Sequence, residues 1–236
     1  MFQISPRFDI PIEERIKGIL ENRINYIRIP EEDISLGDKK SLILTQFPVI
    51  TNLNLEDFHR ILLGEYNKGI PSQVDGLNLL LLLLSDKQVY DGNNNRISSE
   101  RRKEMLDYML SETWEYFSTR FTKEESGKII VNHNYRINKE GKLVPQYSQP
   151  LGEGVLKLDC YVDLGTNSFN SQGLPVKVSE SKQQIYKKGE NIYSYHPRNG
   201  SVARLVADSD GAILNCSGDP SNLVARLGVR AKFLEE

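Results

Sequence analysis

The chain has 236 residues, 39% of them apolar and 26% charged, and a formal net charge of −2. That length fits one large domain or two small ones around a sizeable core. The balance excludes a disordered chain, which needs low hydrophobicity with high net charge, and a surface built throughout for nucleic acid, which would be strongly basic.

Residues 1–11 read as an extended arm held by Pro6 and Pro11. Pro11 suits a helix start. Ile12, Ile16, Ile19, Leu20, Ile24 and Ile27 then recur at helical spacing, with Glu13 and Glu14 in the first turn, where the helix dipole favours acids. Pro30 ends this helix, and Glu31 to Lys40 form a polar loop or linker. Residues 1–40 are therefore read as an arm and helix ahead of a domain over 41–236. The opening Met1-Phe2-Gln3-Ile4-Ser5-Pro6-Arg7 lacks a basic start followed by an apolar core, so it does not read as a signal peptide.

Ser41 to Ile50 has the β-branched and aromatic content of a half-buried strand. Thr51 or Asn54 then caps a helix with Leu55, Phe58, Ile61 and Leu62 on one face, and Ser72 caps a leucine-rich helix. The run Leu77 to Leu84 is far shorter than the ~20 residues of a membrane-spanning helix. The expectation is a cytoplasmic or virion-associated protein with no membrane span.

Asp91-Gly92-Asn93-Asn94-Asn95 is a turn of residues that tolerate positive φ; it lacks the alternating acids and final Glu of a calcium-binding loop. Ser98 or Ser99 opens the longest helix, whose buried stripe is expected to run through Met105, Met109, Trp114, Phe117 and Phe121. From Gly127 the pattern turns extended. Lys128 to Ile137 and Lys142 to Tyr147 flank a hairpin turn at Asn138–Gly141, Val155 to Leu164 alternates with period two, and Pro175 to Ser179 is a further short strand. The basic stretch Lys182 to Lys188 reads as a solvated face. Ser201 to Ala207 and Ala212 to Cys216 are strands joined across Asp208–Gly211, and Leu227 to Leu234 is a last strand. The fold class that follows is α+β, with helices preceding a mostly antiparallel sheet with long loops.

Signals of chemistry are sparse. His59, His133 and His196 share no metal-ligand spacing, and no Walker loop, dinucleotide fingerprint or nucleophile elbow is present. Carboxylates such as Asp159, Asp163, Asp208 and Asp210 have no spacing that pairs them as acid and base. Cys160 and Cys216 are too few for a disulfide framework or an all-cysteine zinc site; they read as buried thiols, with pairing left open. Tyr186, Tyr193 and Tyr195 suit either a binding surface or strand packing. The expectation is a non-enzymatic protein without cofactor or metal.

One stretch departs from the rest in composition. Asn191 to Ala231 contains no Lys, Glu, Gln, Met or Trp, five types that make up about one residue in five of the whole chain. Within it, Asn199-Gly200-Ser201-Val202 followed by Leu227-Gly228-Val229-Arg230 resembles the end of a C-type lectin fold. The branch it is similar to is shared by formylglycine-generating enzymes and the variable proteins of diversity-generating retroelements. That branch carries Gly-Gly-Ser-aromatic and then Gly-Phe-Arg; here Asn199, Val202 and Val229 stand where Gly, the aromatic and Phe are usual. Phe47-Pro48-Val49-Ile50-Thr51-Asn52 also resembles that branch's early passage from strand to helix.

The resemblance implies a segment copied with errors at template adenines, so that A-A-C codons become any base, any base, C. Such codons cannot encode Lys, Glu, Gln, Met or Trp, the five types missing here. It further implies a C-type lectin-like domain with a variable region at about 200–230. Gly200, Ser201, Ala203, Ala207, Ala212, Leu214, Cys216, Leu227, Gly228 and Arg230 are then scaffold positions. Arg204, Leu205, Asp210, Gly211, Ile213, Asn215, Ser217, Gly218, Asp219, Asn222, Leu223 and Val224 are exposed ligand-binding positions, with Leu205, Ile213, Leu223 and Val224 as exposed apolar contacts. The implied partner is a macromolecule, in particular a protein, and not nucleic acid. Two alternatives stay open: a formylglycine-generating-enzyme-like oxidase using Cys160 and Cys216, and a virion or assembly protein.

Overall fold

A computed structural model of the chain describes residues 12–181, 184–223 and 227–233. The expected arm at 1–11 lies outside the described residues. The α-helices are α1 (Ile12–Glu21), α2 (Leu55–Tyr66), α3 (Gln73–Leu84) and α4 (Ser99–Ser111). Up to α4 the strands are β1 (Tyr26–Ile29), β2 (Leu42–Thr45), β3 (Ile50–Thr51), β4 (Lys68–Gly69) and β5 (Tyr90–Asp91). After α4 come β6 (Trp114–Lys123), β7 (Ile129–Ile137), β8 (Leu143–Pro150), β9 (Cys160–Asp163), β10 (Asn191–Tyr195), β11 (Ser201–Asp208), β12 (Gly211–Gly218), β13 (Gly228–Val229) and β14 (Lys232–Phe233). The protein is thus α+β, and its strand pairs are antiparallel except β10 with β12 and β13 with β6.

The helix starts follow capping chemistry. Asn54, Ser72 and Ser98 each accept the backbone N–H three residues on, and at Ser72 the Asp75 carboxylate returns the bond to complete a capping box. At the far end of α3 the Arg102 guanidinium donates to the carbonyls of Leu82, Leu83, Ser85 and Lys87, satisfying groups that a helix end leaves open.

Elsewhere the elements differ from the sequence reading. The first helix stops at Glu21; Asn22 opens a 3-10 turn, and Tyr26 to Ile29 pair with β2 instead of continuing the helix. Ile24 is consequently 54% exposed and not part of an apolar stripe. The long helix likewise stops at Ser111. Met105 and Met109 do face the core, but Trp114, Phe117 and Phe121 lie on β6, where aromatic and β-branched neighbours favour the pleat. The strand expected over 41–50 breaks after Thr45, and that over 155–164 is regular only from Cys160 to Asp163. Pro175 to Ser179 makes isolated bridging contacts only. The last strand is two short ones in different sheets.

The smaller sheet runs β4-β14-β2-β1-β5, and the larger runs β3-β13-β6-β11-β12-β10-β9, with β7 and β8 extending from β6. Both β13 and β14 are therefore internal strands. Helices α3 and α4 cover one face of the larger sheet, over Phe117, Val162, Ile192, Ala203, Leu205, Ala207, Ala212, Leu214 and Cys216. On the opposite face α1 and α2 cover only one end. There Ile16, Leu20, Leu55, Phe58 and Leu62 pack with Tyr116, Val202, Leu227 and Val229.

One buried ion pair joins the two sheets. Arg230 donates from Nε and Nη2 to the two carboxylate oxygens of Glu115, both at 2.9 Å, and each side chain is 2% exposed. Arg230 Nη1 also donates to the carbonyls of Thr45 and Gln46, while Thr113 Oγ1 donates to Glu115 at 2.7 Å. The guanidinium thereby holds the end of β2 against β6 through a planar, two-pronged contact that a lysine does not reproduce.

Candidate functional site

Strand alternation decides which side chains leave the core. In β11 and β12 the inward residues Ala203, Leu205, Ala207, Ala212, Leu214 and Cys216 are all buried, while Arg204, Val206, Ile213, Asn215 and Ser217 are half-buried on the other face. The register places Arg204 beside Asn215 and Val206 beside Ile213. It continues sideways into β10 and β9, with Tyr193 beside Ile213, Tyr195 beside Asn215 and Tyr161 beside Tyr193. The half of this face that α1 and α2 leave open is therefore one surface of strands β11, β12, β10 and β9.

The expected site positions divide accordingly. Arg204, Ile213, Asn215 and Ser217 lie on the open face; Asp210 is exposed at the β11–β12 turn, and Asp219, Asn222 and Leu223 lie in the loop after β12. Leu223 is 63% exposed. Three positions expected to be exposed are not. Leu205 points into the helix-covered core at 1% exposure, because it alternates with Arg204 and cannot share its face. Gly211 (φ +135°) is buried beneath the Tyr186 ring, where a Cβ would lie 2.8 Å from the ring. Gly218 is buried where the Arg204 guanidinium crosses the hairpin, and a Cβ there would lie 2.3 Å from Arg204 Nε. Both glycines are close-approach positions and not display positions. Val224 lies outside the described residues.

The loop at 219–223 is tied down from below. Tyr116 Oη donates towards the carbonyls of Asp219 (2.9 Å) and Asn222 (3.0 Å), and Asp219 Oδ1 accepts the backbone N–H and hydroxyl of Ser221. These bonds from Ser221 hold the Asp219 carboxyl below its ordinary value. Asn215 uses its side-chain oxygen on Ser217, both backbone and hydroxyl. Sequence reasoning did not assign Val206 and Tyr161 to this surface. Tyr161 had a local signal, since it alternates with the buried Cys160 and Val162.

The cysteines and histidines noted in the sequence lie apart from one another and from this face. The thiols do not meet: in register Cys160 sits beside Ser194 and Ser194 beside Leu214, so Cys216 is two strands away and two residues further along, about 12 Å at ordinary strand geometry. Cys216 is wholly buried against Gln73, and burial pushes its thiol far up. His59 is buried against Tyr135, His133 stacks on Tyr147, and His196 Nδ1 meets the Leu156 carbonyl. The Asp91 carboxylate is turned onto its own loop, accepting from the N–H groups of Asn93 and Asn95. Among the described residues no group of three His, Cys, Asp or Glu side chains is placed to hold a metal ion, and no helix is long and apolar enough to cross a membrane.

The two faces of the hairpin should differ sharply in tolerance. Replacing Ile213, Asn215 and Ser217 together by Thr is expected to change the unfolding free energy by no more than about 1.5 kcal/mol. Leu214→Ala alone should cost about 2–5 kcal/mol, because Leu214 is fully buried between β11, β10 and α4. Urea denaturation of the two variants makes the comparison; equal losses would contradict the two-faced description. Comparison with protein-family models, with curated proteins and with solved structures found no match.

Proposed function

We propose that this chain is a non-enzymatic binding protein of C-type lectin fold, the variable protein of a diversity-generating retroelement, with its diversified surface on the β11–β12 hairpin and the loop that follows. One coincidence carries the reading. The stretch that lacks Lys, Glu, Gln, Met and Trp, residues 191–231, contains β10, β11 and β12, three of the four strands whose alternate residues rise onto the open face of the larger sheet. A segment rewritten by error-prone copying must hold its fold while its outward side chains change. Paired strands meet that demand, since period two separates a packed row from a displayed row.

The partner is read as a protein. The face is broad and shallow, tyrosines line part of it, and Asp208, Asp210 and Asp219 are exposed around it, which disfavours a polyanion. The reading is tested in the DNA flanking the gene. The expected finding is a near-identical repeat of the codons for about residues 191–231, differing where the repeat has adenines, with a reverse transcriptase gene close by. Finding neither would overturn diversification.

A further inference from the structure

The open face is not uniform. At its β10–β9 end the rings of Tyr161 and Tyr193 meet edge to face at 4.9 Å, and Tyr193 meets Tyr195 the same way at 5.3 Å. Tyr161, Tyr186, Tyr193, Ile213, Asp210, Gly211 and Ala212 line a depression of about 200 Å³. That volume is below the ~300 Å³ at which pockets for small-molecule ligands begin, and suits one long side chain. Within it the Tyr186 ring lies against Gly211, and the Tyr186 hydroxyl donates to the Leu110 carbonyl at 3.1 Å.

Among the described residues that line the depression, the one charged side chain is that of Asp210. Asp210 borders it and donates its backbone N–H to the Asp208 carboxylate. Burial first, and the Asp159 carboxylate second, hold the Tyr193 hydroxyl above its ordinary value, so Asp159 acts on the same rings. The cations that follow Tyr186 are engaged elsewhere, Lys187 with Glu190 at 3.4 Å and Lys188 with Asp107 at 2.6 Å. Among the described residues, Asp159, Asp208 and Asp210 take part in no ion pair. An apolar side chain entering here would strip water from Asp210 and return nothing, whereas a cationic one would restore the lost interaction and lay its stem along the rings.

We propose that this depression receives the side chain of one arginine or lysine presented by a protein partner. The proposal rests on the reading of this face as a binding surface and names the chemistry of one anchor within it. The test is selection of a random twelve-residue peptide library, displayed on phage, against the full chain. The selected peptides should share one Arg or Lys, and replacing it by norleucine should weaken binding at least about tenfold. Tyr193→Ala and Asp210→Asn should each weaken the same peptides, the second by about three- to tenfold and less so at high salt. Asp210 is an exposed turn residue, so its variant reports even where Tyr193→Ala fails to fold. Peptides that bind this face with no shared cation, or that ignore Asp210→Asn, would overturn the anchor and leave the binding surface standing. Failure to select any peptide that competes at this face would overturn both.

Discussion

Arg230→Met is expected to lower the free energy of unfolding by about 3–5 kcal/mol, a large part of the 5–15 kcal/mol that holds a typical native state. The variant keeps the volume of the side chain and removes its charge. Glu115 would then remain buried, its side chain 2% exposed, with only the Thr113 hydroxyl as a neutral donor, and the carbonyls of Thr45 and Gln46 would lose the Arg230 donor as well. Adding Glu115→Leu should restore the share due to the stranded carboxylate but not that of the two carbonyls, because an apolar pair can replace a buried ion pair while an unmet backbone acceptor still costs about 1–3 kcal/mol. Guanidinium denaturation of the two single variants and the double variant measures both shares. A loss below about 1 kcal/mol for Arg230→Met would show that the pair does not hold the sheets together.

Acid should weaken this protein well before its carboxylates titrate. His59 is 1% exposed on α2, both ring nitrogens lack a hydrogen-bond partner, and burial together with the nearby Arg120 charge holds its pKa down to about 3. In the unfolded chain the same imidazole titrates near 6.5. The unfolded state therefore takes up a proton that the folded state refuses. The stability associated with neutral His59 is fully present above pH 6.5 and falls by about 1.4 kcal/mol per unit as pH drops towards 3. His59→Phe keeps an aromatic ring against Tyr135 and removes the titration, so the difference between the two proteins should shrink in the variant's favour on acidification. Denaturation curves from pH 7.5 to 4 measure it. Parallel losses in both proteins would assign the acid sensitivity to other groups.

The elements that were legible in the sequence are those whose signals are local. Asn54, Ser72 and Ser98 stand immediately before apolar helical runs, and the hairpin turns at Asn138–Gly141 and Asp208–Gly211 flank alternating segments. The misread segments are those in which a strand happens to continue a helical spacing. Ile24 and Ile27 extend the pattern of α1, and Trp114, Phe117 and Phe121 extend that of α4; only the pairing partners β2 and β11 decide otherwise. Of the candidate site, the outward row Arg204, Ile213, Asn215 and Ser217 followed from alternation. Leu205 did not, because placing it with Arg204 ignores that neighbours in a strand face opposite ways. Tyr161 joins the surface only because β9 is the last strand of a sheet ordered β11-β12-β10-β9, a neighbourhood set by tertiary structure.

The internal placing of β13 and β14 also bears on how the protein is made. Gly228–Val229 completes the larger sheet between β3 and β6, and Lys232–Phe233 completes the smaller one between β4 and β2. Neither sheet can close until residues 228–233 have left the ribosome, so β3, β4 and one edge each of β6 and β2 must wait unpaired. Pairings across such sequence distances are slow to form, and the waiting state is the one most open to proteases and to self-association. A copy cut short anywhere upstream of Gly228 would lack an internal strand in both sheets and is expected to be degraded instead of accumulating as a partly working binder.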